Sequence, residues 1–180
     1  MSVKVVPYDT HWPILFEQAS RVLTQVFAGR LIKIEHFGST SVPGLAAKPV
    51  IDIFVFVHDT SNIEQYHDAM KRCGYQPKGK QERTNCYVFE KLSGPSRTHK
   101  VNVCTEDNKF SLGALLFRDY LRVDKRTCEE YQKLKKELAQ KYYDDPPAYA
   151  NGKLQFITKT IEQAKRYFES YVSASKNLPA

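Results

Sequence analysis

The sequence predicts an α+β fold, a mixed β-sheet flanked by helices and followed by a helical C-terminal portion. Three observations carry this expectation. The strand-like segments all fall before about residue 110, and a nearly continuous β-branched and aromatic run, Val50 to Val57, lies among them. From about Ser111 onward the apolar residues recur at helical spacing. The expected organisation is an α/β core over residues 1–110, with residues 111–180 packed on it as helices in a single structural unit.

Residues 3 to 6 are apolar except for Lys4 and run into Pro7, as a short strand or an extended arm. Asp9 or Thr10 can cap a helix with Pro13 in its first turn. Leu15, Ala19, Val22, Leu23 and Val26 form its apolar stripe, and Gly29 ends it. Leu31 to Phe37 alternates as a half-buried strand does. Ser61 to Cys73 reads as a helix, with Ser61 and Glu64 as a capping box and Gly74 as its stop. Cys86 to Leu92 and Lys100 to Cys104 are expected as antiparallel strands joined through Gly94-Pro95. Two helical stripes follow, one of Tyr131, Leu134, Leu138 and Tyr142, the other of Ile157, Ile161, Ala164, Phe168 and Tyr171. Asp145-Pro146-Pro147 separates them.

Composition narrows the function classes. Hydrophobic residues make up 42% of the 180 and charged residues 26%, ordinary values for a globular chain. No apolar run approaches the roughly 20 residues that span a bilayer, and the N-terminus lacks a signal peptide's apolar stretch. Cys73, Cys86, Cys104 and Cys128 form no CxxC pair, which favours buried thiols and a cytoplasmic location over a zinc site. The net charge of +7 suits a phosphate-bearing partner, a nucleotide or phosphorylated small molecule, with RNA a lesser alternative. Acids interleave with the bases throughout, so no nucleic-acid tail is expected.

The chemistry concentrates between His36 and Asp52. Gly38-Ser39-Thr40-Ser41 directly follows a strand, where backbone N–H groups and hydroxyls can cradle an anion and a glycine permits close approach. Lys48 can add positive charge, and Asp52 enters the buried strand. A carboxylate there needs a partner, either a cation such as Mg²⁺, or Lys48 or Arg118. Spacing alone leaves two readings open, a phosphate site and an ordinary structural turn. His36 can act as a donor or acid-base group, or as a packed core residue. His99 is open in the same way. Arg118, placed at a helix start, can grip phosphates bidentately or form a salt bridge. Arg122, Tyr149 and Lys153 are weaker candidates.

The run from His36 to Ile53, reading HFGSTSVPGLAAKPVIDI, resembles the signature of the GrpB family within the nucleotidyltransferase superfamily. Pro7-Tyr8-Asp9 with Trp12-Pro13, Arg97-Thr98-His99 with Val101-Asn102-Val103, and Phe117 to Arg122 resemble further segments of that family. The resemblance implies a nucleotidyltransferase-like sheet, a nucleotide phosphate held by Gly38, Ser39, Thr40, Ser41, Lys48, His99 and Arg118, and Mg²⁺ on Asp52. It implies Asp52, His36 and Asn102 as catalytic candidates for nucleotidyl transfer. Superfamily enzymes hold two metals with three carboxylates. Here the acidic-x-acidic pair reads Asp52-Ile53-Phe54, and Asn102 stands at the third position. The alternative is therefore a catalytically degenerate module binding a nucleotide, or a CoA-related ligand, since the family also occurs fused to dephospho-CoA kinase.

Overall fold

The computed structural model describes the backbone of residues 2–176 and the side chains of residues 2–170. Five strands form one sheet: β1 (Leu31–Phe37), β2 (Ile51–Val57), β3 (Tyr75–Gln81), β4 (Cys86–Ser93) and β5 (Ser96–Cys104). They lie in the order β1-β2-β5-β4-β3, with β2 and β5 parallel and the other neighbours antiparallel. The hairpin expected through Gly94-Pro95 is present. β3 is an element the pattern gave no sign of, because Pro77, Gly79 and two lysines weaken its strand character. Such residues are tolerated here because β3 is an edge strand, with a register shift between Pro77 and Gly79.

Helix α1 (His11–Phe27) and the short α2 (His67–Arg72) cover one face of the sheet. On α1 the buried face is Trp12, Ala19, Leu23 and Phe27, joined by Phe16 and Val26, while Leu15 and Val22 turn outward. The stripe is thus rotated from the expected one; Trp12 and Phe27 at its ends set the direction, having the largest apolar area to bury. The helix expected from Ser61 is shorter and broken. Asn62 takes a left-handed conformation with φ 55°, a 3₁₀ turn spans Ile63–Tyr66, and α2 begins only at His67. Ser61 caps nothing; its N–H donates to Asp59 Oδ1 at 2.8 Å.

Side chains of opposite parity on the sheet build a second core. Phe37, Phe54, Phe56, Cys86 and Cys104 pack beneath Ala114 and Leu115 of α3 (Lys109–Val123). The Cys86 thiol donates to Thr84 O at 3.3 Å. Beyond α3 come α4 (Lys125–Lys141), α5 (Pro146–Gly152) and α6 (Leu154–Lys176). The segment Asp145-Pro146-Pro147 does more than separate two helices. Asp145 caps α5 by accepting from Ala148 N at 2.9 Å, and the prolines occupy its first turn, where their missing N–H groups cost nothing. On α6, Ala164 is fully buried, with Ile157, Ile161 and Phe168 half-buried; the Tyr171 side chain lies outside the described residues.

What positions the site is the route of residues 38–50. Val42 and Leu45 leave the sheet to join Leu121 and Tyr131 in a separate apolar cluster, so the loop is sandwiched between the sheet and α3–α4. Val6 and Ala47 then pair through two backbone hydrogen bonds of 2.9 Å, which fixes the N-terminal arm beside the loop's end.

Candidate functional site

Gly38 has φ 73°, the bend that turns β1 into a single 3₁₀ turn over Ser39–Ser41. The Ser41 hydroxyl closes that turn by donating to Gly38 O at 2.6 Å, and the Thr40 hydroxyl donates to Val50 O at 3.1 Å. With its proton so directed, Thr40 Oγ1 receives one from His36 Nε2 at 3.0 Å. From outside the loop, Arg122 donates to Ser41 O at 2.8 Å and 3.2 Å. Gln132 accepts from Ala46 N at 2.8 Å, and the Lys135 ammonium donates to Ala46 O. Two of the three loop hydroxyls are therefore used to hold the loop's shape.

Above this loop lies a cavity of about 390 Å³. Ser39, Thr40 and Lys48 line it from the loop, Asp52 from β2 and Arg97 from β5. Lys135 of α4, Pro146, Pro147, Tyr149 and Ala150 of α5, and Lys153 at the α5–α6 junction close it from the helical side. Four cationic side chains from four separate parts of the chain thus line the same cavity as one carboxylate. Asp52 also stands hard against Gly38: a Cβ there would come within 2.6 Å of Asp52 Oδ2.

Enclosure shifts the carboxyl and the three lysines here. Burial pushes the Asp52 carboxyl up, against the pull of Lys100, Arg97, Lys153 and Lys48. Burial lowers Lys153 to about 8, Asp52 resisting and Lys48 adding to the shift. Lys135 is only 1% exposed, and burial, with repulsion from Lys153, brings it down to about 7. Lys48 is lowered too, by burial and then by Arg97. Lys48 and Lys153 both lie over the Tyr149 ring, at 5.8 Å and 4.4 Å from its centroid, which holds their heads at the cavity wall.

Of the residues singled out in the sequence, Ser39, Thr40, Lys48 and Asp52 meet in this cavity, and Gly38 backs it. Others lie elsewhere. His36 is buried against Phe16, with ring centroids 4.7 Å apart, and burial, then Arg122 and Arg118, lowers it to about 4; it is a neutral strut for Thr40. His99 stands edge-on to Tyr75, a residue of the α1–α2 core. Arg118 lies well inside α3, not at its start, and its guanidinium is taken by Glu35 at 2.7 Å, His36 O at 2.8 Å and Asp119 at 2.7 Å. Ser41 belongs to the turn. Asn102 is fully buried opposite Phe54, and neither Nδ2 nor Oδ1 has a hydrogen-bond partner among the described residues.

Strand alternation places Asp52, Phe54 and Asn102 on one face of the sheet, since Ile53, Val55, Val101 and Val103 all enter the opposite core. Phe54 is stacked on Phe37, with centroids 3.7 Å apart, and fills its position with ring. Glu90 is paired with Arg97 and Glu106 with Lys33, so neither acid joins Asp52. Among the described residues no group of three or more His, Cys, Asp or Glu side chains is gathered that could hold a metal ion. One carboxylate among four cations does not fit the Mg²⁺ expected at Asp52.

This sheet, with a glycine-hydroxyl turn leading into the strand that carries Asp52, defines a nucleotidyltransferase-like α+β fold. At the level of fold alone, it is similar to the Cid1 poly(U) polymerase, with a TM-score of 0.54 at 14% identity over 82% of this chain and 49% of that one. The chain belongs to the GrpB family, whose description, GrpB protein, matches residues 2–163. It is similar to the GrpB protein of Enterococcus faecalis, with a TM-score of 0.84 and 34% identity over 92% of this chain and 99% of that one. It is 38% identical to the UPF0157 protein YqkA of Bacillus subtilis over 92% of its own length, and spans 48% of YqkA. It is also 31% identical to the glutamate-rich protein GrpB of Alkalihalophilus pseudofirmus, over 89% of this chain and 95% of the relative. Among the described residues no helix is long and apolar enough to cross a membrane.

Sequence reasoning missed Arg97 and Lys135 as site residues and underweighted Lys153. Lys135 did leave a trace: it follows Tyr131 by four positions on the face of α4 that also buries Ala139. A lysine between buried positions on one helical stripe is a usable signal.

Proposed function

We propose that this protein binds the phosphates of a nucleotide or another phosphorylated small molecule in the cavity between the Ser39–Ser41 turn and α5. The observation that supports this is the convergence of Lys48, Arg97, Lys135 and Lys153 on a cavity that the loop also lines. An anion entering there meets charge-assisted donors from several directions and restores the favoured protonated state of the lysines. Ser39 adds a hydroxyl at the loop side, and Pro146, Pro147 and Ala150 offer an apolar wall for a base or another non-phosphate portion. Lys48 and Lys153 orient the phosphates, while Lys135 ties the ligand's pocket to the loop through Ala46. The reading is one of binding; nucleotidyl transfer by two metals would need carboxylates where Phe54 and Asn102 stand.

Calorimetry with ATP, UTP, GTP and CTP on the folded protein tests this. At least one nucleotide binds, and Lys153→Ala weakens it by tenfold or more while the melting profile stays cooperative. A folded protein that binds no phosphorylated ligand would remove the proposal.

A further inference from the structure

Resting on that reading of the site, we infer that the cavity receives a polyphosphate as a metal-free polyanion, its own cationic side chains neutralising the charge that a magnesium ion would otherwise carry. Arg97 is balanced by Glu90, so Lys48, Lys135 and Lys153 face a single acid, Asp52, and the cavity with its lysines charged has an excess of two positive charges (three minus one). Spread over three lysines, that excess suits a chain of phosphates better than a single one. The arrangement is a built one. Lys135 is 1% exposed, and a lysine enclosed so completely holds its charge only where something offsets it. Its present partner, the Ala46 carbonyl, is neutral, as is the Tyr131 ring 4.8 Å away.

Asp52 takes a different role under this inference from that of a metal ligand. It spaces and partly neutralises the lysines when the cavity holds no anion, and it opposes the anion when one enters. Removing its charge then strengthens binding, whereas removing a metal ligand would weaken it. Magnesium acts in the same sense as added positive charge on the ligand: it cancels two of the phosphate charges before the cavity can, and brings a cation among cations.

The test is isothermal titration of ATP, ADP, AMP and inorganic tripolyphosphate, each in EDTA and again with excess Mg²⁺. In EDTA the affinity rises at least tenfold from AMP to ATP, and Mg²⁺ weakens ATP binding about fivefold or more. Tripolyphosphate matching ATP assigns an inorganic chain as the ligand; ATP binding much more tightly assigns a nucleotide; both support the inference. Asp52→Asn tightens ATP severalfold in EDTA, with folding checked by its melting curve. Binding that requires Mg²⁺, or that Asp52→Asn abolishes in a folded protein, overturns the inference and leaves the phosphate site standing. Absence of binding under every condition overturns both.

Discussion

Gly38 and Asp52 share one small space: the position a Cβ would take on Gly38 lies 2.6 Å from Asp52 Oδ2. The glycine is therefore required twice over, by its φ of 73° and by the carboxylate beside it. Gly38→Ala is expected to cost about 1–3 kcal/mol in a urea denaturation. It should also displace the Asp52 carboxylate. A variant as stable as the parent would show that the turn relaxes freely.

Lys135 gives a pH signature. Its folded value of about 7 lies below its ordinary 10.5, so between these limits the unfolded chain holds a proton that the folded one does not. Stability then rises with pH across that window, and the full penalty of a buried ammonium is felt below about pH 7. Lys135→Met removes this dependence. The stability of the parent relative to the variant should climb from pH 6 to pH 10, followed by denaturant midpoints. Lys153, lowered to about 8, titrates in both proteins and enters the difference only through its repulsion of Lys135. A flat difference would mean that Lys135 titrates normally.

His36 works on the acid side. Its folded value of about 4 lies below its ordinary 6.5, so stability is lost as pH falls from about 6.5 to about 4, when only the unfolded chain takes up the proton. His36→Gln keeps a donor for Thr40 without that ionisation, and should flatten this part of the profile. If the variant loses stability in parallel with the parent across this range, another group is responsible.

Asn102 is buried with both polar atoms unpartnered among the described residues. Replacing it with an apolar residue of similar size removes that desolvation penalty. Asn102→Leu is expected to stabilise the protein by about 1 kcal/mol, read from its urea midpoint. A clear destabilisation would instead point to a polar partner for Asn102 in solution.

Much of this protein was readable in its sequence because local chemistry settled it. The strand over Ile51–Val57 has no polar face to expose, and Gly74 can stop a helix with φ 84° where other residues resist. The φ of 73° at the start of the 38–41 turn favours a glycine, and the Ser41 hydroxyl closes the turn on Gly38 O. Those features, with the eighteen residues from His36 to Ile53, carried the family and the fold. The tertiary structure decided which charged residues share a space. Lys135 and Lys153 lie on helical segments where lysines are ordinarily solvated; the Tyr131–Lys135–Ala139 spacing sets Lys135 apart from Lys136, but nothing local shows which charged groups it meets, and nothing nearby distinguishes Lys153 from Lys159. Docking of α4 and α5 onto the loop encloses Lys135 and Lys153 beside Asp52 and leaves Lys136 and Lys159 exposed. Packing of α1 and α3 on β1 likewise turned His36 and Arg118 from candidate ligands into structural supports. Burial and electrostatic neighbourhood belong to the packed molecule, and a side chain's chemistry follows from them as much as from its identity.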